Sequence, residues 1–426
     1  MRVFTTLCAL ALLACAPCHA DELRRAGFLG IQIAPHPKGI AIRSIAEGGT
    51  ARQSGLEEND VITAINGAPP GDVGQFVATV SKLRAGDVVA IDFLRNDAPG
   101  SVKATIRPRP YESGPNADTR YLSLEVNGVR RRLIVTVPRT PGRHPAILYM
   151  TGIGCFSQES VGLESTESKL LYGLTQAGFV TMRVEKSGIG DSEGVPCSAP
   201  AYDFSTELSG YVAGLFTLRG YDFVDPQRVF LVGLSIGGVQ APLVARHAPV
   251  KGIVVINTTA RPFLDYMHEV RRRQMVLRGV AYDEVEDRLV ASDRCNRELL
   301  IEKKDPEAVL ARDASCADFI NYPAPPAYMR QWTTIVPAKE WKAIEAPVLV
   351  VGGEMDFVAL AGDAQYLRDM IESFRPGHAT LAVIPKMTHA MSHVETMTES
   401  LAMGDAPFET RLLDTVAAWL QRTAAS

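Results

Sequence analysis

Apolar residues change their rhythm along this chain, and each rhythm predicts a different kind of element. From about residue 119 onward, continuous apolar runs at 146–150, 180–184, 229–232, 252–256, 348–351 and 380–384 alternate with stretches of helical periodicity. In one such stretch Leu208, Tyr211, Val212, Leu215 and Leu218 share a face, and the last ends with Val416, Trp419 and Leu420. Uninterrupted apolar strands suit burial on both faces, so the alternation predicts an α/β domain with a mostly parallel sheet between helices. Segments 121–126 and 132–137 flank Asn127-Gly128, a strong hairpin turn. The alternation breaks between about 258 and 342, where a charged, helical stretch falls between two core strands and reads as an inserted lid. Its Arg271-Arg272-Arg273 run reads as a solvated helix face, with attraction of acidic substrates as the alternative.

Residues 25–108 form a separate block. Segments 30–34 and 88–94 read as strands, and between them Val73, Phe76, Val77, Val80 and Leu83 recur at helical spacing. A small β+α domain is the expectation, joined by a proline- and glycine-rich linker over 109–118 to a second domain over 119–426. A chain of 426 residues has room for both.

Residues 1–20 read as a signal peptide: Arg2, then an almost wholly apolar run over 3–16, then Cys18-His19-Ala20 as a cleavage site. Leu12-Leu13-Ala14-Cys15 also resembles a bacterial lipobox, so the alternative to a periplasmic or secreted protein is a lipoprotein anchored through Cys15. Contact with a membrane is expected only in that second case. A formal charge of -4 gives no reason to expect nucleic acid. Outside the leader four cysteines remain, Cys155, Cys197, Cys295 and Cys316, an even count that suggests two disulfides in an oxidising compartment. Cys155 and Cys197 each follow one of two adjacent predicted strands, and Cys295 and Cys316 both lie in the lid, which favours those pairings over four free thiols.

The strongest chemical signal is Gly233-Leu234-Ser235-Ile236-Gly237, between the strand 229–232 and a helix over 238–246. A tight strand-to-helix turn exposes a strained serine hydroxyl, and the helix N-terminus offers N–H groups where an oxyanion would form. With the elements around it, this resembles the nucleophile elbow of the α/β-hydrolase superfamily, in its esterase, prolyl-oligopeptidase-like and dienelactone-hydrolase-like branches. Lys186-Ser187-Gly188-Ile189-Gly190-Asp191-Ser192-Glu193-Gly194 resembles a glycine-rich loop of the same branches, and it lacks the Lys-Ser/Thr ending of a nucleotide-binding loop.

The resemblance implies an acid and a histidine, in that order, after Ser235. Asp356 follows the strand 348–351 and is preferred to Glu354; His389 follows the last strand and is preferred to His393, while His378 precedes that strand. The resemblance also places oxyanion donors at Ile236 and, within Thr151-Gly152-Ile153-Gly154-Cys155, at Ile153. His389 and His393 have no third ligand in view, so no metal and no cofactor is expected.

The first block resembles an HtrA-like bacterial PDZ domain, through Ser54-Gly55-Leu56-Glu57-Glu58-Asn59-Asp60-Val61-Ile62 and Asn66-Gly67, with Asn59 in the place of the usual glycine. The resemblance makes Phe28, Leu29 and Gly30 the loop that receives the carboxylate of a peptide or protein C-terminus, the peptide adding a strand beside 30–34. Together these features imply an exported serine hydrolase that cleaves carboxylic esters through an acyl-enzyme on Ser235. The alternatives are a peptidase fed by the PDZ-like domain and a non-catalytic peptide-binding adaptor.

Overall fold

The computed structural model describes residues 23–160 and 163–426; the leader reading and Cys15 lie outside them. The N-terminal sheet is antiparallel, with strands in the order Ile31–His36, Gly39–Ile45, Val61–Ile65, Val88–Arg95 and Ala98–Thr105. Ile40, Ile42, Ile62, Phe76 and Ile91 fill its core. The helix Val73–Val80 starts where the Asp72 carboxylate accepts the Gln75 N–H at 2.8 Å, and it stops a turn short of Leu83. Phe76 is buried on it, but Val77 is 52% exposed, so the periodic apolar stripe is only partly committed to the core. Asn59 has a φ of 71°, a left-handed conformation that asparagine tolerates, which is why it can stand where glycine is usual.

The second sheet has the spatial order Ala379–Ile384, Val348–Gly353, Gly252–Ile256, Val224–Leu234, His144–Met150, Val180–Val184, Val129–Pro138 and Ala117–Val126. The first six strands run parallel; the hairpin formed by the last two joins antiparallel. Leu148 and Met150 belong to the core on one face, Ile147 and Tyr149 to the core on the other, so alternate residues of one strand are buried on opposite sides. That two-sided burial is what an unbroken apolar run demands. His144–Met150 has Val180–Val184 on one side and Val224–Leu234 on the other, so the chain reverses direction across the sheet there. Crevices form beyond the carboxyl ends of strands at such a reversal.

The insertion is helical, led by Phe263–Leu277, Tyr282–Asn296 and Pro326–Trp332. It seats Phe263, Tyr266, Met329 and Trp332 over Ile236 and Val239. Disulfides join Cys295 to Cys316 within it and Cys155 to Cys197 on the loops that follow His144–Met150 and Val180–Val184. The arginine run is not the uniform solvated face expected. Arg271 is half-buried and donates to Ser292 Oγ, to the Phe319 carbonyl and to Tyr322 Oη at 3.4 Å, while Arg272 pairs with Glu286 and Arg273 is exposed.

The stretch 109–118 is no free tether either. Glu112 within it is buried against the Arg183 guanidinium. Beside it, a buried ion cluster bolts the two domains together. Arg25 pairs with Asp191 at 3.0 Å and with Glu159, and Arg132 reaches Asp191 at 2.9 Å and the Leu23 carbonyl at 3.1 Å. Asp191, in the glycine-rich loop read from the sequence, thus serves the domain seam.

Candidate active site

Ser235 sits between the strand Val224–Leu234 and the helix Ile236–Ala245 with φ 53° and ψ -118°, a strained geometry for a residue with a side chain. The turn is held from three sides. Ser235 N–H donates to the Ile256 carbonyl at 2.9 Å, Gly238 N–H to the Ser235 carbonyl at 2.9 Å, and Thr258 Oγ1 to that carbonyl at 2.7 Å. A Cβ on Gly233 would fall 2.4 Å from the Gly237 oxygen, and one on Gly237 would fall 2.1 Å from the Met150 oxygen. Only glycine lets these three backbones approach so closely.

His389 presents Nε2 to Ser235 Oγ at 3.1 Å and Nδ1 to Asp356 Oδ2 at 2.8 Å. The Asp356 carboxylate is buried and fixed by the N–H groups of Val358 and Ala359, which donate to Oδ1 at 2.7 and 2.8 Å. Burial alone would depress the imidazole pKa, but the charge and hydrogen bond of Asp356 outweigh it and hold His389 above its ordinary value. The competing residues lie elsewhere. Glu354 is exposed and accepts from the Lys386 N–H; His393 pairs with Glu409 and Glu395; His378 stands in an exposed loop.

Ile236 opens the helix directly after Ser235, Ile153 lines the cavity beside Ser235, and neither N–H has an acceptor among the described residues. The loop bearing Ile153 is fixed by a residue that sequence reasoning passed over. Lys186 Nζ donates to the Gly152 carbonyl at 2.9 Å and to the Gly154 carbonyl at 2.8 Å, so one buried ammonium grips the carbonyls of the residues on both sides of Ile153. Glu207 neutralises it at 3.2 Å and accepts from Tyr202, Gln240 and Tyr328. Lys186 was legible only as the first letter of the glycine-rich segment. Asn257 was also missed: Nδ2 donates to the Thr388 and His389 carbonyls at 3.0 and 3.1 Å, and Oδ1 accepts the Gly353 N–H at 2.8 Å, tying the histidine loop to the acid loop. A lone asparagine after a strand carries no signal of that role.

Ser235 and His389 open into a cavity of about 580 Å³ with an apolar wall that includes Ile153, Phe156, Phe263, Met329 and Trp332. The Phe263 and Trp332 rings pack with centroids 4.5 Å apart. A pocket of this size, mostly apolar and with a few convergent polar atoms, suits a small organic group.

Fold and site together define an α/β-hydrolase preceded by a PDZ domain. Residues 165–396, more than half of the chain, match the family described as serine aminopeptidase, S33, and the chain belongs to that family. Residues 27–106 match the PDZ domain. The chain is 23% identical over 354 residues to Esterase EstD of Thermotoga maritima, across 82% of this chain and 77% of that one. Over 100 residues, 21% of this chain and 20% of the other, it is 28% identical to a probable periplasmic serine endoprotease DegP-like of Brucella suis. The solved structure of ferulic acid bound to Est1E from Butyrivibrio proteoclasticus is 17% identical, with a TM-score of 0.48, across 72% of this chain and all of that one.

Proposed function

We propose that this protein hydrolyses carboxylic esters through an acyl-enzyme on Ser235. The observation that carries the reading is the unbroken line of hydrogen bonds from Ser235 Oγ through His389 to buried Asp356, opening into an apolar pocket. Ser235 Oγ attacks the ester carbonyl as His389 Nε2 takes its proton, and the carbonyl oxygen becomes an oxyanion received by the N–H groups of Ile236 and Ile153. The C–O bond to the alcohol then breaks, and His389 returns the proton to the departing alcohol. A water attacks the acyl-enzyme with His389 again as base, releasing the carboxylic acid and restoring Ser235. Asp356 holds the imidazole with Nδ1–H toward itself and stabilises the imidazolium.

A helical lid over an apolar pocket of this size favours a small acyl group over an extended polypeptide. That a relative 23% identical over 354 residues bears the name esterase supports the same choice. The leader over residues 1–20 supports export from the cytoplasm as the setting. Labelling of the protein with a fluorophosphonate probe, followed by a panel of chromogenic esters and peptide amides, tests the proposal. Labelling lost in Ser235→Ala, with turnover of esters ahead of amides, is the expected result. An unlabelled wild-type protein would favour the adaptor, and preferential amide turnover the peptidase.

A further inference from the structure

The peptide groove of the PDZ domain is completed by the hydrolase. A cavity of about 450 Å³ runs between the strand Ile31–His36 and the helix Val73–Val80, where Val77 and Val80 line it. Its far wall is made by Arg109, Phe156, Ser157 and Ile189, which lie outside the PDZ domain. Phe156 also lines the cavity that holds Ser235 and His389. One aromatic ring, 40% exposed, is therefore the partition between the two.

We propose that this composite groove takes an extended peptide ending in a free carboxylate and an aliphatic side chain, and that its occupancy raises ester hydrolysis through Phe156. Peptide binding as such follows from the PDZ match; the hydrolase wall and the coupling are read from the structure, and the coupling rests on the ester-hydrolase reading above. Three observations favour this occupant. Ile31–His36 is an edge strand, so its outer side is open to a further strand. The N–H groups of Leu29 and Gly30 at the groove's end have no acceptor among the described residues, and Arg109, itself paired with Glu159 at 3.1 Å, lines the groove. The last side chain of the peptide meets Val77, Val80 and the Phe156 ring, an apolar set.

The groove can report to the catalytic centre because the parts between them are stiff. Arg25, Asp191, Glu159 and Arg132 lock the domains together. Phe156 follows Cys155, which is bonded to Cys197, and its ring lies 5.3 Å from the Lys186 ammonium that holds the Gly152 and Gly154 carbonyls. A peptide that packs on the exposed side of the ring restricts this segment in the arrangement that turns over ester. Coupling between sites is reciprocal and is commonly worth about 5-fold or more.

The test uses the full chain and a short fluorescein-labelled peptide ending in valine carboxylate, with its C-terminal amide as control. Anisotropy measures binding, and a chromogenic short-chain ester measures turnover. The carboxylate peptide is expected to bind and raise kcat/KM about fivefold or more, and a phosphonate adduct on Ser235 is expected to tighten the peptide. Val77→Lys blocks the groove, so it abolishes binding and response while leaving basal turnover unchanged; Phe156→Ala binds peptide more weakly and, even at saturating peptide, shows no kinetic response. No peptide binding, or binding with unchanged kcat/KM, overturns the proposal, as does a response that persists in Phe156→Ala. A protein that binds peptide but hydrolyses no ester with or without it refutes the proposed function instead.

Discussion

Replacing Lys186 with methionine keeps an unbranched apolar stem of similar length and removes every donor from the ammonium. The Gly152 and Gly154 carbonyls lose their shared partner, and the intervening Ile153 N–H loses the restraint that aims it at the oxyanion. The upper bound on the effect is the loss of one oxyanion donor, about 10²–10³-fold in kcat. The loop keeps other anchors, the Cys155–Cys197 bond and the Thr151 Oγ1 hydrogen bond to Glu167 at 2.7 Å, so a fall of about 10- to 100-fold is expected. KM should stay within about threefold, because the interaction lost belongs to the transition state. Glu207 also loses its counter-ion, and stripping one member of a buried pair costs on the order of 3–5 kcal/mol. Its remaining donors from Tyr202, Gln240 and Tyr328 moderate that cost. The assay is steady-state kinetics well below the unfolding temperature, alongside affinity for a boronic-acid analogue of the tetrahedral intermediate. Analogue affinity should fall in step with kcat, and Lys186→Arg should recover part of both. An unchanged kcat, or a loss confined to KM and thermal stability, would refute the reasoning.

Further outcomes follow from the same geometry. His389 must be neutral to accept a proton, so kcat/KM should rise with pH through a midpoint above 6.5; Asp356→Asn should lower that midpoint and cut the plateau by up to about 10⁴-fold, and an unmoved midpoint in the pH–rate profile would contradict the role given to Asp356. Burial pushes the Glu185 carboxyl up to about 7 against the donors Ser157 and Gln158, so between its ordinary 4.5 and that value the folded state holds a proton the unfolded state has lost. Stability from this group therefore falls as pH rises across that window, and in Glu185→Gln the gap in Tm between about pH 5 and pH 8 should narrow, which calorimetry can check. Cys155→Ser with Cys197→Ser opens a closure of 42 residues, worth about 4 kcal/mol on the chain-entropy account, and should lower both Tm and kcat; retention of full kcat would show that the loop does not need the brace.

Much of the scaffold was legible because its signals are local. The apolar runs at 146–150, 180–184 and 252–256 coincide with strands of the parallel sheet, since burial on both faces favours apolar residues, Thr181 and Arg183 being the buried polar exceptions in the second. The elbow was legible because two close backbone approaches at Gly233 and Gly237 can be met only by glycine, and that need is written into a span of five residues. What escaped was long-range and polar. Lys186 grips carbonyls more than thirty residues away, and Asn257 joins loops roughly a hundred residues or more distant; such contacts leave no periodicity and no motif. The arginine run misled for a related reason, since whether a helical arginine faces water or a neighbouring helix depends on packing that charge alone does not encode. The apolar stripe over 73–83 was legible as one helical face, but not how it divides, with Phe76 buried and Val77 left uncovered along a groove.

The seam at Arg25 changes how the molecule can be taken apart. Cutting the chain after residue 110 would strip Asp191 and Glu159 of the guanidinium that meets both, leaving Asp191 with Arg132 alone and Glu159 without Arg25 or Arg109 along a freshly opened seam. A hydrolase trimmed of its first domain is thus a damaged protein rather than a smaller one, and any loss of turnover in it says nothing about whether peptides are delivered by the missing part. Point changes on the exposed side of the groove dissect the two halves without that injury.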